Sequence, residues 1–220
     1  MKEDSVLLFD KPANMTSFGV VARVRRRLSQ QLGKKAKVGH TGTLDPFATG
    51  LMIIVTGKEC RNAMQYSKLD KEYEATIRLG LTSTTGDPEG ELTRISHETP
   101  TKEAVEAVLE GFRGEITQRP PIFSAIKING RRAYDLARKG EAVEIPERQV
   151  TIYELELLDY TYPDVRIRTH VSSGTYIRSL AVDIGEALHT GAYCAELRRT
   201  KVAEFSVADA QPVESAETTR

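Results

Sequence analysis

A polar stretch punctuated by glycine, Gly39-His40-Thr41-Gly42-Thr43-Leu44-Asp45-Pro46-Phe47-Ala48-Thr49-Gly50, runs straight into the apolar residues Leu51-Met52-Ile53-Ile54-Val55. A short apolar run bounded by turn residues reads as a buried strand, so the fold must deliver this loop to the end of a core element. Three glycines let the backbone bend tightly or approach a ligand closely. Pro46 fixes the local φ, and the single acid of the stretch, Asp45, stands beside it. That composition suits a rigid active-site loop. Asp45-Pro46 also has a plain structural reading, with Asp as N-cap and Pro at the first position of a helix.

The rest of the chain supplies elements of both kinds. Ser5 to Phe9 reads as a short strand, and a Thr16-Ser17 turn can cap a helix reaching about Leu32. On that helix Phe18, Val21, Val24, Leu28 and Leu32 fall near one face, and Gly33 supplies the stop. Arg23, Arg25, Arg26, Arg27, Lys34, Lys35 and Lys37 follow with no acid among them. They form either a solvated face or a surface for phosphates. Beyond the strand Leu51 to Val55, a short helix is expected over Glu59 to Ser67 and a strand over Lys71 to Leu79. Tyr73 in that strand is a packing residue by strand propensity.

Thr84 to Gly90 is a turn cluster in which Asp87 is a turn residue. Thr99-Pro100 opens a helix bearing Val105, Val108, Leu109 and Phe112 on one face. Gln118 to Gly140 reads as a strand, a glycine turn and a basic helix, a poor core but a good exposed surface. Val150 to Tyr160 and Val165 to Val171 form a hairpin. Ser172 to Thr175 then turns into a helix with Leu180, Ile184 and Leu188 in register, on which Arg178 is an ordinary surface residue. Strands and helices mingle without βαβ alternation, which predicts an α+β domain with a mixed, mostly antiparallel sheet flanked by helices and loops. The expected organisation is one domain over 1–210 and a polar tail over 211–220.

Charge narrows the partners. With 31 basic and 31 acidic residues in 220, no whole-protein field draws nucleic acid in, so any RNA binding must come from local patches,. Cys60 and Cys194 have neither zinc nor disulfide spacing, and a reducing, cytoplasmic setting fits them. No leader-like or membrane-length apolar segment stands out.

The Gly39–Gly50 string resembles the signature motif of the TruB-type pseudouridine synthases, which make pseudouridine from uridine 55 in the T-loop of tRNA. The resemblance extends in order from about Val6 to Ala210. It takes in Lys11-Pro12, Lys71-Glu72-Tyr73, Gly86-Asp87, the Pro120-Pro121 to Arg138 segment, Ser173-Gly174-Thr175-Tyr176-Ile177-Arg178, and the closing strands around Leu197. Asn14 and Ala203 stand where the family more often has glycine. A left-handed backbone at Asn14 would absorb the first change.

What the resemblance implies is an isomerase with Asp45 as its catalytic residue and Arg178 paired to that carboxylate. Tyr73 would stack on the flipped base, and His40 would help take the uridine out of the RNA. Tyr176 and Leu197 would lie at the base pocket, with Lys127 and Arg138 as RNA contacts. The carboxylate has three roles open to it: attack on the base, attack on the sugar, or removal of a sugar proton. No cofactor and no metal are implied, and the expected state is a monomer acting on the T-arm of tRNA without the accessory C-terminal RNA-binding domain common in the family. Two other classes compete. One is a non-catalytic RNA-binding or tRNA-folding protein on the same scaffold. The other is a hydrolase, which would ordinarily need a second, placed acid.

Overall fold

Local capping explains where the first helix begins and ends. The Thr16 side chain accepts a hydrogen bond from the Gly19 N–H, and Gly33 closes the C-terminus in the left-handed conformation at φ 65°,. Between them runs α1 (Ser17–Leu32). The computed structural model describes residues 3–124, 126–128, 131–132 and 145–216.

In chain order the strands are β1 (Ser5–Lys11), β2 (Val38–His40), β3 (Thr49–Thr56), β4 (Lys71–Leu79), β5 (Leu81–Ser83), β6 (Leu92–Arg94) and β7 (Gly114–Gln118). They continue with β8 (Lys127–Ile128), β9 (Arg131–Arg132), β10 (Arg148–Thr161), β11 (Asp164–Val171), β12 (Ala192–Val202), β13 (Phe205–Ser206) and β14 (Gln211–Pro212). The remaining helices are α2 (Ala63–Ser67), α3 (Lys102–Gly111) and α4 (Ile177–Ala187). The expected class, α+β with a mixed and mostly antiparallel sheet, is the observed one.

Two compact units arise from this one chain, residues 1–73 with 198–220, and residues 74–197. In the first, the strand order is β14-β1-β3-β12, with β2 on β3 and β13 on β12. β1 and β3 are antiparallel, pairing Ser5 with Thr56 through to Lys11 with Gly50. Leu51 to Val55 are all buried, as a strand covered on both faces requires. Gly50 has φ 106°, and a Cβ there would lie 2.3 Å from the Arg199 carbonyl oxygen. Only glycine lets β3 begin its parallel pairing with β12 at that point,.

In the second unit the order is β12-β4-β11-β10-β7, with α3 and α4 alongside. Its core includes Ile77, Leu79, Ile152, Leu155, Val165, Ile167, Leu180 and Ile184.

Several expectations need correction. Phe18 is 65% exposed; the buried side of α1 is Ser17, Val20, Val21, Val24 and Leu28, because the Ser17 hydroxyl is satisfied by a distant backbone. The helix expected over Glu59 to Ser67 is a 3-10 turn, Gly57–Arg61, followed by α2. The cap of α3 is Thr101 rather than Thr99. Gln211 and Pro212, read as the start of a polar tail, pair with β1, and Val213 beside them is buried. The basic helix expected before Gly140 lies outside the described residues.

Candidate active site

Two buried cations hold the Asp45 loop in the first unit. Lys11 is fully buried, and its Nζ donates to the carbonyls of Pro12 at 2.9 Å, Met15 at 2.7 Å and Pro46 at 3.1 Å. Arg199, also buried, donates from Nε to the Leu51 carbonyl at 2.8 Å, from Nη2 to Gly42 at 3.3 Å and from Nη1 to Thr43 at 3.5 Å. The Ser17 hydroxyl both donates to the Leu44 carbonyl and accepts from the Leu44 N–H, each at 2.8 Å. Asn14, at φ 62°, donates its N–H to Pro46 at 2.8 Å. The left-handed backbone expected at Asn14 is therefore present and points its N–H at the Asp45-Pro46 turn.

No helix follows Asp45, so the N-cap reading is overturned. The Asp45 carbonyl accepts from the Ala48 N–H at 3.2 Å in a tight turn, and the chain enters β3 at Thr49. The Asp45 side chain is half-buried. A loop held through its backbone carbonyls by buried cations has its course set before any ligand arrives. A third cation belongs to this unit. Lys71 donates to the carbonyls of Ser67 at 2.8 Å and Leu69, and burial, helped by the charge of Arg199, lowers its pKa to about 8. His40 ends β2 opposite Ile54, half-buried. Tyr73 is 8% exposed in β4, so it also serves the packing its strand position suggested.

In the second unit Arg178 is buried, which excludes the surface reading. Its Nη1 donates to Asp87 Oδ2 at 3.0 Å and to the Thr85 carbonyl at 2.9 Å, and its Nη2 donates to the Phe123 carbonyl at 2.7 Å. Asp87 is both a turn residue and an ion-pair partner: Oδ1 accepts from Thr85 Oγ1 at 2.6 Å and from the Glu89 N–H at 3.0 Å. Tyr176 precedes α4 and is gripped by the buried side chain of Gln118. That amide donates to the Tyr176 carbonyl at 3.0 Å and accepts from its N–H at 2.8 Å. The Arg148 guanidinium lies over the Tyr176 ring at 4.9 Å. Leu197 is buried in β12. Lys127 lies in β8, and Arg138 lies outside the described residues.

Sequence reading missed Lys11, Arg199 and Gln118 as positioning residues. The signal was there for two of them. Phe9 and Lys11 lie two apart in β1, Leu197 and Arg199 two apart in β12, so each cation occupies the inward side of an alternating strand,. Among the described residues, no group of His, Cys, Asp and Glu is arranged to hold a metal ion. None of the described helices is long and apolar enough to cross a membrane.

The family model described as TruB family pseudouridylate synthase, N-terminal domain, matches residues 26–177, and the tRNA pseudouridylate synthase B C-terminal domain matches residues 178–218. This chain belongs to the TruB family. Among TruB relatives, the tRNA pseudouridine synthase B of Phocaeicola vulgatus is 50% identical over 216 residues, covering 97% of this chain and 92% of that protein. That of Aquifex aeolicus is 45% identical over 213 residues, covering 96% of this chain and 72% of that protein. Two solved structures share the fold. A Cbf5-Nop10-Gar1 complex aligns with TM-score 0.69 and 33% identity, over 93% of this chain and 50% of that one. An H/ACA RNP bound to a substrate RNA containing 2'-deoxyuridine aligns with TM-score 0.70 and 29% identity, over 96% of this chain and 52% of that one. The chain thus spans about half the length of those two structural relatives.

Proposed function

We propose that this TruB-family chain isomerises uridine 55 of tRNA to pseudouridine, with Asp45 as the catalytic residue. The observation that carries the reading is the Asp45 loop, pinned by Lys11, Arg199 and Ser17, in a chain 50% identical to a tRNA pseudouridine synthase B. The reaction breaks the bond from C1′ to N1 and makes one from C1′ to C5; C5 loses a proton and N1 gains one. Atoms and electrons balance within the nucleotide, so the chemistry asks for a placed carboxylate rather than an external oxidant or reductant.

The target base sits in folded RNA and must leave its stack to be rotated. Tyr73 is the residue proposed to stack on it, and His40 the one proposed to occupy the space it vacates. Arg178 is proposed to serve turnover, Tyr176 and Leu197 to contact the substrate base, and Lys127 and Arg138 to contact the RNA. Incubating the purified protein with an unmodified tRNA transcript, followed by chemical mapping of pseudouridine, tests the reading. Modification confined to uridine 55 supports it; an unmodified transcript that the protein nevertheless binds would favour the non-catalytic alternative.

A further inference from the structure

Phe18 is 65% exposed in the first turn of α1, and isolated exposure of this kind is ordinary on protein surfaces,. What surrounds it is not. The Arg25 guanidinium lies 5.8 Å from the ring centroid, and its Nη2 donates to the Val38 carbonyl at 3.1 Å. One side of the ring is therefore backed by a fixed cation, while its exposure leaves the rest of the ring to solvent. Phe18, Ala22, Arg25 and Ser29 share one stripe of the helix, and the small Ala22 leaves the ring and the guanidinium room to meet.

The same stripe leads to more positive charge. Arg26 flanks it, exposed, and the Ser29 hydroxyl accepts the Ala36 N–H at 2.9 Å, tying the Lys35 to Lys37 loop to the helix. Lys35 and Lys37 are exposed, and no acid occurs in the sequence between Ser17 and Lys37; Lys34 pairs with Glu3 at 2.8 Å. Phe18 is also next in the chain to Ser17, whose hydroxyl clamps Leu44 beside Asp45. An open aromatic face backed by a cation, with positive charge along about 12 Å of helix from Phe18 to Arg26, matches the stacking-plus-phosphate pattern of single-stranded nucleic acid recognition.

We propose that the Phe18–Arg25 pair is a stacking platform for an unpaired base of the RNA substrate, with Arg26, Lys35 and Lys37 receiving the adjoining phosphates. This rests on the reading of the chain as an RNA-modifying enzyme. It adds a contact outside the Asp45 loop that carries affinity. The side chain is exposed, so substitution leaves the fold's packing in place.

The test is the affinity of a T-arm RNA hairpin for the unaltered protein and for Phe18→Ala, Phe18→Leu, Phe18→Trp and Met64→Ala, the last being a comparably exposed apolar residue of the same unit at 69%. Phe18→Ala and Phe18→Leu should each weaken binding roughly five- to 150-fold, the span of measured base–aromatic stacking. Phe18→Trp should restore it, and Met64→Ala should leave it unchanged. If Phe18→Leu binds like the unaltered protein, apolar area rather than stacking is at work and the proposal fails. It fails equally if Phe18→Ala keeps its RNA affinity and instead loses a concentration-dependent self-association, which would assign this face to a protein contact. Pseudouridine formation by the unaltered protein on the same hairpin is scored separately: its absence would sink the underlying reading, while its presence with an unaltered Phe18→Ala affinity would sink this inference alone.

Discussion

Arg178 Nη1 meets Asp87 Oδ2 at 3.0 Å, with both side chains only 4% exposed although the two residues lie 91 positions apart in the chain. A charge pair so far from water is costly to break, because removing Asp87 takes a carboxylate acceptor away from a buried guanidinium. Asp87→Ala should therefore cost about 3–5 kcal/mol of unfolding free energy. Asp87→Asn should cost less, since Asn keeps an oxygen for the Thr85 hydroxyl and the Glu89 N–H. Urea denaturation measures both. An Ala variant as stable as the unaltered protein would mean the pair contributes nothing.

Ala203 links β12 to β13 at φ 46°, where a Cβ is crowded by the following carbonyl,. Ala203→Gly should stabilise the protein by about 1 kcal/mol, the relief of left-handed strain outweighing the added freedom of the unfolded chain. A loss of stability in the same denaturation experiment would contradict this.

Lys11 tests whether the Asp45 loop depends on its anchor. Lys11→Met keeps most of the side-chain volume but takes the ammonium donor from the carbonyls of Pro12 and Met15, and one of two donors from Pro46, which keeps the Asn14 N–H. Each such group costs about 1–3 kcal/mol when it stays buried, so the loop should shift to reach water. The expected result is a fall in kcat on the order of a hundredfold with a much smaller change in RNA affinity. A parallel loss of both would assign Lys11 to general stability.

Lys71 predicts a pH dependence. Its folded pKa of about 8 lies below the usual 10.5, so between those values the unfolded chain binds the proton more tightly than the folded one. Stability from this residue is lowest below pH 8 and rises as pH climbs through the window, by at most about 3 kcal/mol. The difference in unfolding free energy between the unaltered protein and Lys71→Met should grow in favour of the unaltered protein from about pH 7.5 to pH 10. A difference that stays flat would show that Lys71 titrates normally.

Much of this was legible because it is local. The Thr16 cap, the Gly33 stop and the alternation of β4 and β11 are written in neighbouring residues, and each element stands where they place it. Tertiary contacts decide the rest. Asp45-Pro46 carries a helix-start signal, yet no helical periodicity follows, and the apolar run after Gly50 claims the chain for a strand. Arg178 looked like a surface residue because its partner Asp87 lies a long way back in the sequence. Spacing puts Phe18 on one face with Val21, Val24 and Leu28, but the helix buries Ser17 instead, because its hydroxyl is satisfied by the distant Leu44 backbone.

Asp45 is proposed to perform the chemistry while other surfaces hold the RNA. The most direct measurement is pseudouridine formation at uridine 55 by Asp45→Asn, run beside the affinity of the same variant for tRNA. Asn fits the same turn and removes only the charge. Turnover should fall by on the order of a thousandfold or more, with tRNA affinity within a few-fold of the unaltered protein, the result expected where RNA is held mainly by contacts away from the carboxylate. Substantial turnover by Asp45→Asn would contradict the account.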